Sequence, residues 1–216
     1  MTHTPPPATR TTVIRRAVVV AALVIVPALA LTATLRSTRT AQERRGVDKA
    51  GSASDKGARV ERGRYLVAIL ACGDCHTPLT MGATGPEPDM TRFLAGHPES
   101  FKTPPPPPAG DAWMWSGSVT NTAFAGPWGV SYTANLTPDR NTGLGAWTED
   151  TFVAAIRTGR HMGVSREIAP PMPWMAYKSA TDEDLKAVFA YLRTIPPVVN
   201  HVPDYAPPAA APAGTP

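Results

Sequence analysis

The chain has only two cysteines, and both lie in one short stretch that ends in histidine, Cys72-Gly73-Asp74-Cys75-His76. This C-x-x-C-H pattern is typical of covalent haem attachment. The spacing lets both sulfur atoms reach the two vinyl groups on one porphyrin edge, and the histidine then lies beneath the iron. The sequence therefore predicts one haem c, thioether-linked to Cys72 and Cys75, with His76 as an iron ligand.

Two other interpretations of the cysteine pair fit the flanking sequence less well. A thioredoxin-like dithiol is preceded by a strand and opens a helix, whereas residues 58–71 here have the apolar pattern of a helix that ends at the motif. A zinc site would need a second ligand pair, and the sequence offers none at suitable spacing. The motif occurs once, so we expect a single haem.

The iron of such a haem has a sixth position, and Met172 is the first candidate for it. Met172 lies in the segment Ala169-Pro170-Pro171-Met172-Pro173-Trp174, where prolines stiffen an extended loop that could hold a thioether against a metal. Methionine ligation raises the reduction potential and suits electron transfer. Met175, Met162 and His161 are alternatives, and Met172 could also be an ordinary core methionine.

The N-terminal part of the chain carries an apolar segment, residues 17–35, directly after Arg15 and Arg16. A cleaved signal peptide fits the basic start and the small-residue site at 28–30. An uncleaved membrane anchor fits the length, and a buried helix of a soluble protein is the third possibility. We expect an anchor, with the remainder on the periplasmic side of the cytoplasmic membrane, or free in the periplasm if the leader is cleaved.

The positive formal charge of +4 is concentrated in the leader, since residues 1–45 contain seven arginines and one glutamate. The rest of the chain is close to neutral and slightly acidic. A nucleic-acid-binding domain would carry its basic residues on the folded part. We therefore expect no nucleic-acid partner.

Three helices can be placed downstream of the leader. The first covers about 58–71, with an apolar face predicted to consist of Val60, Tyr65, Leu66, Ile69 and Leu70. The second has Thr148 as N-cap and Gly159 at its C-terminal end. The third has Thr181 as N-cap and ends before Pro196.

The remaining segments complete the predicted organisation. Residues 77–147 are expected to form turns and loops without a definite strand, with His97 and His201 at the surface. The domain division is a signal or anchor at 1–35, a flexible linker at 36–56, a haem domain at 57–205 and a Pro/Ala-rich tail at 206–216. The predicted fold class is all-α with long loops. The five tryptophans are expected to pack in the core and against the haem: Trp113, Trp115, Trp128, Trp147 and Trp174.

Several motifs in this order resemble the cytochrome c domains of membrane-bound periplasmic dehydrogenases, such as the cytochrome subunits of alcohol, aldehyde and gluconate dehydrogenases. The resemblance covers most of 60–200. Its motifs are R-G-x-Y-L-V at 62–67, C-x-x-C-H-T-P at 72–78, N-L-T-P-D-x-x-T-G-x-G-x-W at 135–147, F-x-x-A-I-R-x-G at 152–159, P-P-M-P at 170–173 and a final helix with its double proline at 181–197.

This resemblance implies a class I cytochrome c fold with His76 and Met172 as axial ligands. It also implies that residues 135–138 lie near the haem edge and that the carbonyl of Pro78 orients the His76 ring. We therefore expect an electron carrier and no enzyme, exchanging electrons with a dehydrogenase, a quinol-oxidising complex or a terminal oxidase. A haem enzyme or a sensor with an open sixth position is the alternative function.

Overall fold

The computed structural model describes residue 42 and residues 54–106 and 113–208 of the 216-residue chain. The chain divides into two units, Met1–Asp55 and Lys56–Pro216, and almost all described residues belong to the second. The predicted leader at 17–35, nearly all of the linker and most of the tail lie outside the described residues. Within the described ranges, no helix has the length and apolar character needed to cross a membrane.

Five helices are present in the described part of the chain, and the three long ones correspond to the three predicted from the sequence. Two short helices and two 3-10 turns were not predicted. The helices are α1 (54–69), α2 (Cys72–His76), α3 (Glu149–Thr158), α4 (Trp174–Tyr177) and α5 (Asp182–Leu192), and the 3-10 turns are Met90–Arg92 and His161–Gly163.

The predicted caps of α3 and α5 are confirmed. The Thr148 hydroxyl accepts a hydrogen bond from the Thr151 N–H at 3.1 Å, and the Thr181 hydroxyl accepts one from the Asp184 N–H at 3.1 Å. Gly159 ends α3 in the left-handed conformation, with φ of 65°, which glycine adopts without steric cost. These local interactions fix where both helices begin, and they depend on side chains that the sequence displays directly.

The buried face of α1 differs in part from the prediction. Gly63, Leu66 and Val67 are buried, whereas Tyr65 and Ile69 are exposed. Apolar spacing alone did not reveal that a glycine lies at the centre of the contact with the rest of the protein. The helix is therefore rotated relative to the predicted orientation.

The contact between α1 and α5 is so close that only glycine fits at position 63. A Cβ placed on Gly63 would lie 1.9 Å from the carbonyl oxygen of Ala187 and 2.8 Å from the Cβ of Tyr191. At the edge of the same contact, Arg62 Nε donates to Asp184 Oδ1 at 2.9 Å. The two helices thus pack backbone against backbone.

The core is formed mainly by the three long helices. Phe152 of α3 and Phe189 of α5 pack ring to ring, with centroids 5.4 Å apart. Burial of such side chains from water is the main stabilising contribution. The buried apolar residues of the cluster are Leu66, Val67, Leu94, Leu144, Phe152, Ile156, Leu185, Ala187, Val188, Phe189, Leu192 and Ile195.

The segment predicted to lack strands contains two small antiparallel sheets, and the prediction was wrong on this point. The first sheet pairs β1 (Leu79–Gly82) with β2 (Gly85–Pro88). The second has the order β3 (Ser116–Gly117), β4 (Ala123–Gly126) and β5 (Gly129–Tyr132). All are four residues long or shorter, which is too short for an alternating pattern to stand out. The all-α description holds for the helical core, with one hairpin and one three-stranded sheet added in the loops.

His97 is buried, contrary to the prediction that it lies at the surface. Its Nε2 donates to the Phe101 carbonyl oxygen at 3.1 Å, and its Nδ1 accepts from the Thr122 hydroxyl at 2.9 Å. A buried polar ring is stable because both nitrogens are hydrogen-bonded. The sequence around His97 is polar and gave no sign of these partners. His201 is exposed, as predicted.

The tryptophans do not all pack in the core. Trp113 is 78% exposed, and Trp115 is also exposed while its ring contacts Phe124. Trp128, Trp147 and Trp174 are partly buried. The prediction was therefore wrong for Trp113 and Trp115, which lie where the chain enters the second sheet.

Candidate haem site

The C-x-x-C-H motif forms its own helical turn. Ala71 adopts a left-handed conformation with φ of 55° and ψ of 31°, which separates α1 from α2. In α2 the residues Cys72, Cys75 and His76 stand at i, i+3 and i+4, and side chains with this spacing share one face of a helix. The break at Ala71 therefore redirects the chain, and α2 presents the two thiols and the imidazole together.

The His76 ring is buried and held by one hydrogen bond. Its Nδ1 donates to the backbone carbonyl oxygen of Ala134 at 2.7 Å. This bond leaves Nε2 as the nitrogen with a free lone pair, which is the form that binds a metal. Burial lowers the pKa of His76, so the imidazole is neutral at neutral pH.

The predicted partner of His76 was the Pro78 carbonyl, and this prediction was wrong. The Pro78 carbonyl instead accepts a hydrogen bond from the Asp89 N–H at 2.8 Å, just beyond the end of the β1–β2 hairpin. The carbonyl of Ala134, 58 residues after His76 in the chain, takes its place. A backbone carbonyl has no residue-specific signature, so no feature of the sequence could have identified Ala134.

The two cysteines have the environment of inert thiols. Burial raises the pKa of Cys72 to about 11, with a further contribution from the charge of Asp74. Burial, and then Asp74, also raises the pKa of Cys75. The thiolate is the reactive form of cysteine, and redox dithiols have a lowered pKa. The observed environment therefore argues against the dithiol interpretation.

All four predicted site residues, Cys72, Cys75, His76 and Met172, line one cavity of about 370 Å³. Its walls come largely from the helical core and from the segments that join the helices. The apolar wall residues include Leu70, Leu144, Trp147, Phe152, Ile156, Leu185, Val188 and Leu192. The structure thus brings together residues that lie up to 100 positions apart in the chain.

The residues around this cavity fit a haem. The lining is mainly apolar and contains two thiols and a neutral imidazole, which are the groups needed for covalent attachment and iron ligation. The Thr133 hydroxyl oxygen, on a residue that lines the cavity, is buried and has no hydrogen-bond partner in the described part of the chain. A polar edge of a bound group could satisfy it. The chemistry of the lining therefore suits a large flat cofactor with polar substituents.

Of the alternative axial ligands, Met175 and Met162 lie away from the cavity and His161 lies in its wall. Met175 and Met162 are exposed, at 66% and 47%, and neither lines the cavity. His161 does line it, and its ring meets that of Trp147 with centroids 5.1 Å apart. The structure thus leaves Met172 as the first candidate and His161 as its only rival among those named.

The segment expected near the haem edge also reaches the cavity. Asn135 and Leu136 line it, and Asn135 Nδ2 donates to the Val198 carbonyl oxygen at 2.8 Å. Sequence reasoning missed Ser131 and Tyr177, which line the same cavity. A serine in a short strand and a tyrosine after a tryptophan-methionine pair carry no motif that would have identified them.

The helical core, the C-x-x-C-H turn and the shared cavity agree with the resemblance to c-type cytochromes that the sequence motifs indicated. No family model matches the chain. Similarity to individual proteins supports the resemblance. The chain is 30% identical over 135 residues to the fructose dehydrogenase cytochrome subunit of Gluconobacter japonicus and 31% identical over 134 residues to the gluconate 2-dehydrogenase cytochrome c subunit of Pantoea cypripedii.

These two matches each cover 62% of the chain, but only 21% and 22% of the respective relatives. A third relative, the cytochrome c subunit of the quinone-dependent alcohol dehydrogenase of Gluconobacter oxydans, is 28% identical over 151 residues, which is 68% of the chain and 24% of the relative. The chain thus spans less than a quarter of the length of these three relatives. Their names support a role in electron transfer and are the basis for considering a dehydrogenase partner.

Proposed function

We propose that this chain is a single-haem c-type cytochrome that carries electrons on the periplasmic side of the cytoplasmic membrane. One haem c would be linked through thioethers to Cys72 and Cys75, with His76 and Met172 as iron ligands. The fold would be that of a class I cytochrome c, with the haem domain at about 57–205. When bound, the haem iron supplies a one-electron ferric–ferrous couple.

The observation that carries this proposal is the convergence of the four residues on one apolar cavity. The residues of the chain have distinct tasks in it. Ala134 fixes the tautomer and orientation of His76. The apolar side chains of α3 and α5 exclude water, which is one of the factors that set a haem potential.

The proposed partners follow from the relatives and from the leader. A dehydrogenase would donate electrons, and a quinol-oxidising complex or a terminal oxidase are the other candidate redox partners. Residues 17–35, which lie outside the described residues, would anchor the chain in the membrane, or direct its export if they are cleaved. Contacts with redox partners would be small and transient.

A haem with an open sixth position, acting as an enzyme or sensor, is the competing function. Optical spectra of the purified protein, oxidised, reduced, and reduced under carbon monoxide, separate the two. We expect a c-type spectrum with a thioether-to-iron band in the oxidised state and no change on adding carbon monoxide. A large shift with carbon monoxide would reject the closed His/Met site and favour the competing function.

A further inference from the structure

The Met172 loop, residues 169–173, has few ways to be held in place by its own backbone. Pro170, Pro171 and Pro173 have no amide hydrogen, so they cannot donate to neighbouring elements. Within the described ranges, residues 169–172 make one hydrogen bond to the rest of the protein. It runs from the Ser131 hydroxyl to the Pro170 carbonyl oxygen, at 2.6 Å. The position of the loop therefore depends on Ser131 more than on any other polar contact.

Ser131 is well placed for this task. It is buried on β5 and lines the same cavity as Met172. Its hydroxyl also lies 3.4 Å from the Phe124 carbonyl oxygen, which is long for an O–H···O hydrogen bond. The shorter contact to Pro170 is the better partner, so the single hydroxyl hydrogen is directed to the Met172 loop.

A second contact holds the other end of the loop. Tyr177 lies at the end of α4, which begins directly after Pro173, and its hydroxyl donates to the Leu70 carbonyl oxygen at 2.5 Å. Leu70 immediately precedes the Ala71 break that leads into Cys72. The Tyr177 contact therefore connects the methionine side of the cavity to the helix end that carries the cysteines.

The Ser131 and His76 contacts originate from the same short stretch of chain. Ala134, whose carbonyl accepts from His76, lies three residues after Ser131. Residues 131–134 thus support the segments that carry both candidate axial ligands. Any change in how Ser131 holds Pro170 would act on the methionine side alone, because the Ala134 contact uses backbone.

We propose that Ser131 is a positioning residue for the Met172 thioether, with Tyr177 as a second tether of the same loop. This inference rests on the proposed function, because it requires Met172 to be the axial ligand. The hydroxyl of Ser131 holds the loop so that the thioether competes successfully with other ligands. Without it, the loop samples more positions and the methionine is displaced more easily.

The test uses imidazole as a competing ligand on the ferric holoprotein, comparing wild type with Ser131→Ala and Tyr177→Phe. Loss of the thioether-to-iron band reports displacement. Removing one hydrogen bond of ordinary strength should increase the apparent imidazole affinity roughly 2- to 13-fold. Ser179→Ala, at an exposed serine that follows α4, is the matched control and should leave the affinity unchanged.

Thermal unfolding of the same variants separates positioning from general stability. If Ser131→Ala lowers the melting temperature but binds imidazole as the wild type does, the serine has only a structural role and the inference is overturned. Tyr177→Phe supplies the second measurement if Ser131→Ala does not fold. It should increase imidazole affinity in the same direction, and an unchanged affinity would overturn the second tether.

The failure of the inference can be distinguished from the failure of the ligand assignment by Met172→Ala. If Met172→Ala leaves the wild-type spectrum unchanged, the ligand assignment is wrong and the positioning inference fails with it. If Met172→Ala removes the thioether band while Ser131→Ala and Tyr177→Phe leave imidazole binding unchanged, the ligand stands and only the positioning inference fails.

Discussion

Hydrogen-bond partners decide whether the buried imidazoles of His76 and His97 can bind a metal. His76 gives its Nδ1 hydrogen to the Ala134 carbonyl, which leaves Nε2 for a metal. His97 uses both nitrogens within the protein, so it has no free lone pair to offer. The two buried histidines therefore differ in their ability to bind a metal, because they have different hydrogen-bond partners.

At the residue scale, replacing Met172 by histidine should convert the candidate axial pair from His/Met to His/His. Because a second histidine stabilises the ferric state relative to methionine, we expect the reduction potential to fall. Redox titration followed optically is the measurement. Met175→His, at an exposed position that does not line the cavity, is the control. An equal potential in Met172→His and wild type would argue against methionine ligation.

His97 should make the fold sensitive to mild acid. Burial lowers its pKa in the folded state, and the nearby positive charge of Lys102 acts in the same direction. The unfolded chain, with an ordinary histidine pKa near 6.5, then binds the proton more readily. Stability is therefore lost as the pH falls below about 6.5, with a slope of at most about 1.4 kcal/mol per pH unit from this group.

Denaturant unfolding of the holoprotein between pH 7.5 and 5 measures this effect. His97→Gln removes the titrating group, so its unfolding free energy should fall less steeply with decreasing pH than that of the wild type. Val164→Gln, at an exposed position that does not line the cavity, removes no titrating group and should leave the slope as it is. Parallel curves for wild type and His97→Gln would contradict the expectation.

At the scale of elements, the contact between α1 and α5 leaves the least space for a larger side chain. A methyl group at Gly63 would meet the Ala187 carbonyl oxygen at 1.9 Å, and backbone cannot move aside cheaply. We expect Gly63→Ala to lower the free energy of unfolding by about 1–3 kcal/mol through overpacking, against a helix-propensity gain of at most about 1 kcal/mol. Guanidinium unfolding checks it.

Gly57→Ala is the matched control because it lies in the same helix with no atom within 4 Å of the added methyl group. It should be neutral or stabilising by up to about 1 kcal/mol. If both alanines stabilised the protein, the close approach of the two helices would be incorrect.

The helices and the cavity also show which structural features could be predicted from the sequence. The ends of α3 and α5 were predictable because Thr148, Gly159 and Thr181 act through bonds to their own neighbours. Cys72, Cys75 and His76 were predictable because haem attachment restricts residue type and spacing, whereas Met172 was selected from its flanking prolines and from the resemblance. Three features could not be predicted: the orientation of α1, the hydrogen-bond partner of His76 and the proposed role of Ser131. Each depends on a segment that is distant in the sequence. At Gly63 and Ala134 the contact also involves backbone atoms, which carry no residue-specific signature.

At the scale of the whole molecule, the core and the cavity share their residues. Leu144, Phe152, Ile156, Leu185 and Val188 are at once core side chains and cavity walls. A ligand that binds only the folded state stabilises it. The bound haem would therefore contribute both the redox centre and a large part of the packing.

We accordingly expect the double variant Cys72→Ala/Cys75→Ala to lose cooperative unfolding. Without covalent attachment it should keep part of its helical far-ultraviolet signal and lose its near-ultraviolet aromatic signal, as expanded states with loose packing do. Circular dichroism during heating is the measurement, with the wild-type holoprotein as reference. A double variant that melted as sharply as the wild type and at the same temperature would show that the core does not depend on the cofactor.

Ser131 and Ala134 lie only three residues apart in the chain, and this short separation limits where the protein can tolerate an inserted residue. An extended chain advances about 3.3 Å per residue and alternates its faces, so one inserted residue would displace one of the two contacts and reverse the direction of the groups beyond it. Insertions between 131 and 134 should therefore disturb the histidine side and the methionine side together. The turn at 83–84 between β1 and β2 does not line the cavity. It should therefore accept a longer loop at little cost in stability.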